Sequence, residues 1–148
     1  MHLDLFHGSA YVPKLQRRGQ LTTVFDPFRQ AFVAFTPEEW VRQHFLYYLT
    51  HTLQYPRGAC GVEVPVLVTR RMLRADVVVY SRLRRPFLLV ECKAEQVPLR
   101  REVVEQVAQY NMVFNAPYFA VTNGHEHLIF ACQGDTTASL EAYPPFPL

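Results

Sequence analysis

Ala75-Asp76-Val77-Val78-Val79-Tyr80 and Phe87-Leu88-Leu89-Val90-Glu91-Cys92-Lys93 are the two stretches that decide how this chain folds. Each is short, rich in valine and leucine, and flanked by arginine-bearing segments, which is the pattern of a β-strand. Both are apolar on either face, so they belong in the middle of a sheet covered on both sides. Alternation puts Phe87, Leu89, Glu91 and Lys93 on one face and Leu88, Val90 and Cys92 on the other. Asp76 opens the preceding strand, and hairpin pairing would bring its carboxylate beside Glu91.

Working outward, Val62 to Val68 reads as one more strand before this pair, and Leu99 to Asn115 returns to helical spacing, with Val103, Val107, Tyr110 and Phe114 on one side. Ala116-Pro117 stops that helix. Tyr118 to Thr122 and Glu126 to Cys132 are two further strands, joined at the turn-favouring pair Asn123-Gly124. Upstream, Thr36-Pro37-Glu38-Glu39 supplies a capping hydroxyl, a proline at the first helical position and a glutamate at the third, so a helix should run to about Leu53. Leu21 to Phe25 and Ala31 to Phe35, split by Asp26-Pro27, suggest a hairpin before it. Residues 1 to 20 lack periodicity, and the tail 134–148 is expected to be irregular. A strand, helix and strand in one sheet normally form a right-handed crossover, so Phe87–Cys92 and Tyr118–Thr122 should run parallel. The expected class is α/β: a mixed sheet flanked by helices, in the order β-hairpin, α, β, β, β, α, β, β.

The 148 residues suit one domain, 1–148, with its core at about 21–132. With 49% hydrophobic and 19% charged residues the chain is too apolar for disorder, yet no apolar run approaches a membrane span. Met1 to Lys14 carries Asp4, His7 and Gly8 where a signal peptide needs a continuous apolar segment, so no secretion and no membrane partner are expected. Cys60, Cys92 and Cys132 are odd in number and include no CxxC pair, which argues against a disulfide framework or a zinc site and for the cytoplasm. The net charge of +2 does not advertise nucleic-acid binding. Arginines nevertheless cluster: Arg70, Arg71 and Arg74; Arg82, Arg84 and Arg85; Arg100 and Arg101. Each cluster suits local phosphate contacts or a solvated loop.

The chemistry lies at Asp76, Glu91 and Lys93. Two carboxylates brought close repel unless a cation lies between them, and hard oxygen ligands favour Mg2+ or Mn2+. Such an ion polarises a phosphoryl oxygen and lowers the pKa of water, while a lysine can orient or deprotonate the water and stabilise charge on phosphorus. Lys93 and Lys14 are the only lysines among fifteen basic residues, so lysine at 93 reads as a chemical requirement that arginine would not meet. From spacing alone an ordinary ion pair at a strand end explains the three equally well. His125 and His127 flank a turn without a third partner and read as surface residues. Glu63, between Val62 and Val64, is either solvated or a further member of the site.

Taken together, Ala75-Asp76 before an apolar strand and Glu91-Cys92-Lys93 ending the next resemble the PD-(D/E)XK nuclease signature, with alanine in place of the nominal proline. Thr36-Pro37-Glu38-Glu39-Trp40-Val41-Arg42-Gln43, Glu105-Gln106 with Tyr110-Asn111, and Thr122-Asn123-Gly124 extend the likeness to the N-terminal nuclease domain of type I restriction enzyme R subunits, over about residues 21 to 132. The resemblance implies a restriction-endonuclease-like core in which Asp76, Glu91 and the backbone carbonyl of Cys92 bind the metal and Lys93 serves the water and the transition state. It implies that Glu39 on the first helix adds a ligand, although a capping box asks for glutamate there on stability grounds alone. Gln106 joins the catalytic set, and Tyr110, four residues on, helps place the nucleic-acid backbone, although helix packing explains Tyr110 nearly as well. Arg70, Arg71 and Arg74 are the nucleic-acid-binding candidates.

Type I R subunits continue into a helicase motor, and no GxxxxGK[ST] loop occurs here. A stand-alone Mg2+- or Mn2+-dependent endonuclease is therefore expected. DNA is its expected partner, RNA is not excluded, and targeting would come from a homodimer or a partner protein. The competing expectation is a non-catalytic nucleic-acid-binding or assembly module of a defence or repair complex.

Overall fold

A computed structural model describes all 148 residues. Its centre is a six-stranded mixed sheet in the order β4-β5-β6-β7-β8-β9, made of β4 (Cys60–Val68), β5 (Arg71–Tyr80), β6 (Pro86–Cys92), β7 (Tyr118–Thr122), β8 (His127–Gln133) and β9 (Thr136–Leu140). Only β6 and β7 pair in parallel, as the crossover rule requires, with Leu88 opposite Tyr118 and Cys92 opposite Thr122. A separate antiparallel sheet joins β1 (Leu15–Arg18), β2 (Leu21–Asp26) and β3 (Ala31–Ala34). The architecture is the mixed α/β one expected. No helix is long and apolar enough to cross a membrane.

Two helices cover the two faces of the large sheet. On one side α1 (Pro37–Tyr47) packs Val41, Phe45 and Leu46 onto Val77, Val79, Leu88, Val90 and Cys92. On the other, α2 (Arg101–Phe114) packs Val107 and Tyr110 onto Ala75, Val78, Leu89, Phe119 and Val121. Thr36 caps α1, its hydroxyl accepting the Glu39 backbone N–H at 3.0 Å. The helix continues through a wider π-type turn at Tyr48–Thr52. Asn115 ends α2 in the left-handed conformation, φ 52°.

Several expectations change. The tail is not irregular throughout, because Gly134-Asp135 makes a two-residue turn that folds β9 back onto β8, pairing Gln133 with Thr136. Glycine followed by aspartate is a hairpin signal, with Gly134 at φ +61°. β1 forms without periodicity because it is an exposed edge strand paired only to β2. Asn123-Gly124 is not a two-residue turn: β7 and β8 are linked by residues 123–126, with the Asn123 carboxamide oxygen accepting the N–H groups of His125 (3.0 Å) and Glu126 (2.8 Å). His127 is fully buried, its ring between the Leu3 carbonyl and the Tyr143 hydroxyl. The chain termini, invisible to local pattern reading, cover it. Phe87 packs in the core beneath α1 rather than on the face of Leu89, because the β5–β6 register shifts next to Val79 and Tyr80.

Candidate active site

Asp76 lies within β5 rather than at its start, where the strand stops pairing with β6. The last regular pair is Val77 with Val90, and beyond it the two strands part. Facing also switches here. Val77 and Val79 pack beneath α1, whereas Leu73 and Ala75 pack with Val78 on the α2 side. Strict alternation would put Ala75 with Val77. The partner strand switches at the same level, with Val62 in the α1 core and Val64 against the α2 core, across Glu63 at φ +56°. This irregularity leaves Asp76 at the seam between the layers, reachable from α1 and from the end of β6.

Both Asp76 oxygens are engaged there. Oδ2 accepts the Cys92 backbone N–H at 2.7 Å, and Oδ1 accepts from the Arg42 guanidinium at 2.8 Å. Extending the β5–β6 register by one residue puts Asp76 across from Glu91, and both are buried, 5% and 8% exposed. Glu91 Oε2 is buried with no hydrogen-bond partner. Burial, then the Asp76 charge, push the Glu91 carboxyl up to about 9, while Lys93 and Arg42 pull the other way. Lys93 follows half-buried, its backbone N–H donating to the Thr122 carbonyl at 2.8 Å. The sheet thus brings Asp76, Glu91 and Lys93 to one place.

Glu39 does not close the capping box that the sequence offered. Its backbone takes the Thr36 cap, but its side chain does not return to the cap residue, whose N–H bonds Ala34. The carboxylate turns inward and accepts from Arg42 at 3.0 Å, Arg29 at 2.6 Å and Gln43 at 3.2 Å. Arg29 is also paired to the fully buried Asp26. Glu39 therefore meets Asp76 through one guanidinium, and no group of three or more His, Cys, Asp or Glu is gathered to hold a metal by itself.

Arg42 is the residue sequence reasoning passed over. It is 6% exposed and bridges Glu39, Asp76 and Glu63, the last at 2.9 Å. Burial works against its charge, but Asp76 and Glu39 more than offset that and raise its pKa. The signal was present: Glu39, Arg42 and Gln43 stand three and four apart beside the apolar stripe of Val41 and Phe45, where a solvated helix face does not belong. Glu63, left open by the sequence, is thereby a member of the site.

On the α2 side the Gln106 amide donates to the Tyr110 hydroxyl at 3.3 Å. Tyr110 is buried, and its pKa is raised by burial and then by the Glu91 charge. The arginine group is split by structure. Arg70 occupies the tight β4–β5 turn with Thr69, both at positive φ, while Arg71 and Arg74 lie on β5 itself. Arg74 leans toward Glu63 at 3.7 Å.

Asp76 and Glu91 offer hard oxygen donors, and Glu91 Oε2 is buried without a hydrogen-bond partner, so the donor set fits a hard divalent ion. A family model described as the type I restriction enzyme R protein N terminus matches residues 37–147. No curated protein and no solved structure matches the chain.

Proposed function

The chain belongs to the family of the type I restriction enzyme R protein N terminus, and from that membership we propose that this nuclease-related domain is a metal-dependent nuclease hydrolysing phosphodiester bonds in DNA. One observation carries the reading: two buried carboxylates, Asp76 and Glu91, share the β5–β6 fork, and one Glu91 oxygen has no partner there. A structural ion pair would have satisfied both.

In this reading Asp76, Glu91 and the Cys92 carbonyl hold Mg2+ or Mn2+, which when bound supplies Lewis acidity toward a phosphoryl oxygen and lowers the pKa of water. The chain's own groups do the rest. The Cys92 N–H and Arg42 fix the Asp76 carboxylate in the fork. Lys93, immediately past the end of β6, orients the attacking water and offers its ammonium to the charge that grows on phosphorus. Gln106 holds the Tyr110 hydroxyl, and the pair positions a backbone phosphate. Arg70, Arg71 and Arg74 supply further phosphate contacts along the β4–β5 hairpin. The three free thiols suit a reducing compartment, and we place the protein in the cytoplasm, with targeting supplied by a partner protein or a second copy.

A second reading, a non-catalytic nucleic-acid-binding or assembly module, draws on one feature: both Asp76 oxygens already have donors without a metal. Incubating the purified chain with plasmid DNA, and separately with RNA, in Mg2+ or Mn2+ separates the two. Cleavage by the wild type and loss of it in Asp76→Ala and Lys93→Ala is the expected result. Equal activity in all three defeats the site assignment, and DNA binding with neither cleavage nor metal uptake establishes the second reading.

A further inference from the structure

Three carboxylates from three elements converge on a single guanidinium. Arg42 meets Glu39 of α1 at 3.0 Å, Glu63 of β4 at 2.9 Å and Asp76 of β5 at 2.8 Å. Acidic groups so close repel unless a cation lies among them, and here that cation is permanent, since a guanidinium does not deprotonate. Asp76 is the shared member, Oδ1 turned to Arg42 and Oδ2 accepting the N–H of Cys92, the residue after Glu91. Sites that hold two divalent ions about 3.5 to 4 Å apart are built this way, around a carboxylate common to both. In this chain a guanidinium stands on one side of that carboxylate.

We infer that Arg42 takes the place of a second metal ion, so that the centre accepts one divalent cation, between Asp76 and Glu91. The inference rests on the metal-binding reading of those two residues and adds the number of ions and the reason for it. Charge supports it. Around the fork, Asp26, Glu39, Glu63, Asp76 and Glu91 face Arg29, Arg42, Arg74 and Lys93. With every carboxylate ionised, five negative charges stand against four positive ones, so the fork still favours an added cation. Without Arg42 the surplus would grow from one to two, and Asp76 would lose its ion-pair partner while Glu39 kept Arg29 and Glu63 kept Arg74. Arg42 is accordingly a positioning residue, acting on the reaction through Asp76. Arg29, held between Asp26 and Glu39, anchors the Glu39 carboxylate that Arg42 also binds.

The test counts metal without DNA and without turnover. Mn2+ titrations followed by calorimetry, with free Mn2+ counted by electron paramagnetic resonance, are run on the wild type, Asp76→Ala, Arg42→Met and Arg42→Lys. Circular dichroism establishes that each is folded. One Mn2+ per wild-type chain, affinity at least about 10-fold weaker in Asp76→Ala, two per chain in Arg42→Met and one in Arg42→Lys are the expected results. Two Mn2+ in the wild type, or a folded Arg42→Met that still binds one, overturns the inference while leaving the Asp76–Glu91 site intact. No Mn2+ in the wild type overturns the underlying reading, and the inference with it. If Arg42→Met does not fold, the wild type and Arg42→Lys still decide between one ion and two.

Discussion

Asp76 Oδ2 accepts the backbone N–H of Cys92 at 2.7 Å, so a side chain of β5 takes the hydrogen bond that β5 backbone would have made had the strands stayed paired. The same bond that closes the fork in the sheet fixes the carboxylate to which the chemistry is assigned. Fold and site are therefore coupled at this residue, and substitutions there should report on both.

Asp76→Ala should remove that acceptor and one of the partners of Arg42 together. Stranding a buried N–H and weakening a buried ion-pair network is expected to cost about 3 kcal/mol in urea unfolding. Asp76→Asn keeps an acceptor for Cys92 and should cost clearly less, yet abolish cleavage to the same extent. If both variants unfold alike, the Cys92 bond contributes nothing separable.

Lys93→Ala should leave the fold and Mn2+ affinity largely intact while cleavage falls by about 100-fold to 1,000-fold, the scale of one lost transition-state donor. The contrast between a calorimetric titration and a plasmid assay reads this directly. A parallel fall in metal affinity would assign Lys93 to holding the acidic pair instead.

Replacing Arg70, Arg71 and Arg74 together with alanine should weaken DNA binding without altering Mn2+ uptake. Each lost phosphate contact lowers the slope of log affinity against log salt by about 0.9. Fluorescence anisotropy over a salt series measures it, and an unchanged slope would remove the β4–β5 hairpin from the interface.

His127 should make stability fall in mild acid. Its neutral ring is satisfied, donating to the Leu3 carbonyl and accepting from the Tyr143 hydroxyl, and burial pushes its pKa down from 6.5 to about 4. Between those values the unfolded chain carries a proton that the folded chain refuses. Stability is then fully present above about pH 6.5 and declines toward pH 4, by at most about 1.4 kcal/mol per pH unit. Urea unfolding of wild type and His127→Gln across this range should show the slope flattened in the variant.

Gly124→Ala should be destabilising by about 1 to 3 kcal/mol. Gly124 has φ +91°, and a Cβ there would lie 2.3 Å from the Phe6 ring. Thermal unfolding checks it, and a Gly124→Ala protein as stable as the wild type would mean that the N-terminal segment does not dock on this loop as described.

How much was legible depends on where the information lies. Helix α1 is written in Thr36, Pro37 and the apolar stripe that follows, and the parallel pairing of β6 with β7 follows from a helix between two apolar strands. Glu91 and Lys93 as neighbours on one face follow from a period of two. These depend on residues near in sequence. His127 does not, because its burial is produced by Leu3 and Tyr143, from opposite ends of the chain.

Local sequence alone carries the class of fold and the chemical types at the centre: a carboxylate within one central strand, a second near the end of its neighbour, and a lysine just past it. Only the tertiary structure decided what stands between them. The positive φ at Glu63 and the parting of β5 from β6 turn Asp76 into the seam, and the approach of α1 puts Arg42 against Glu39, Glu63 and Asp76 at once. No periodicity encodes such a contact, because it joins residues from a helix and two strands, and its charge balance exists only once they are packed out of water.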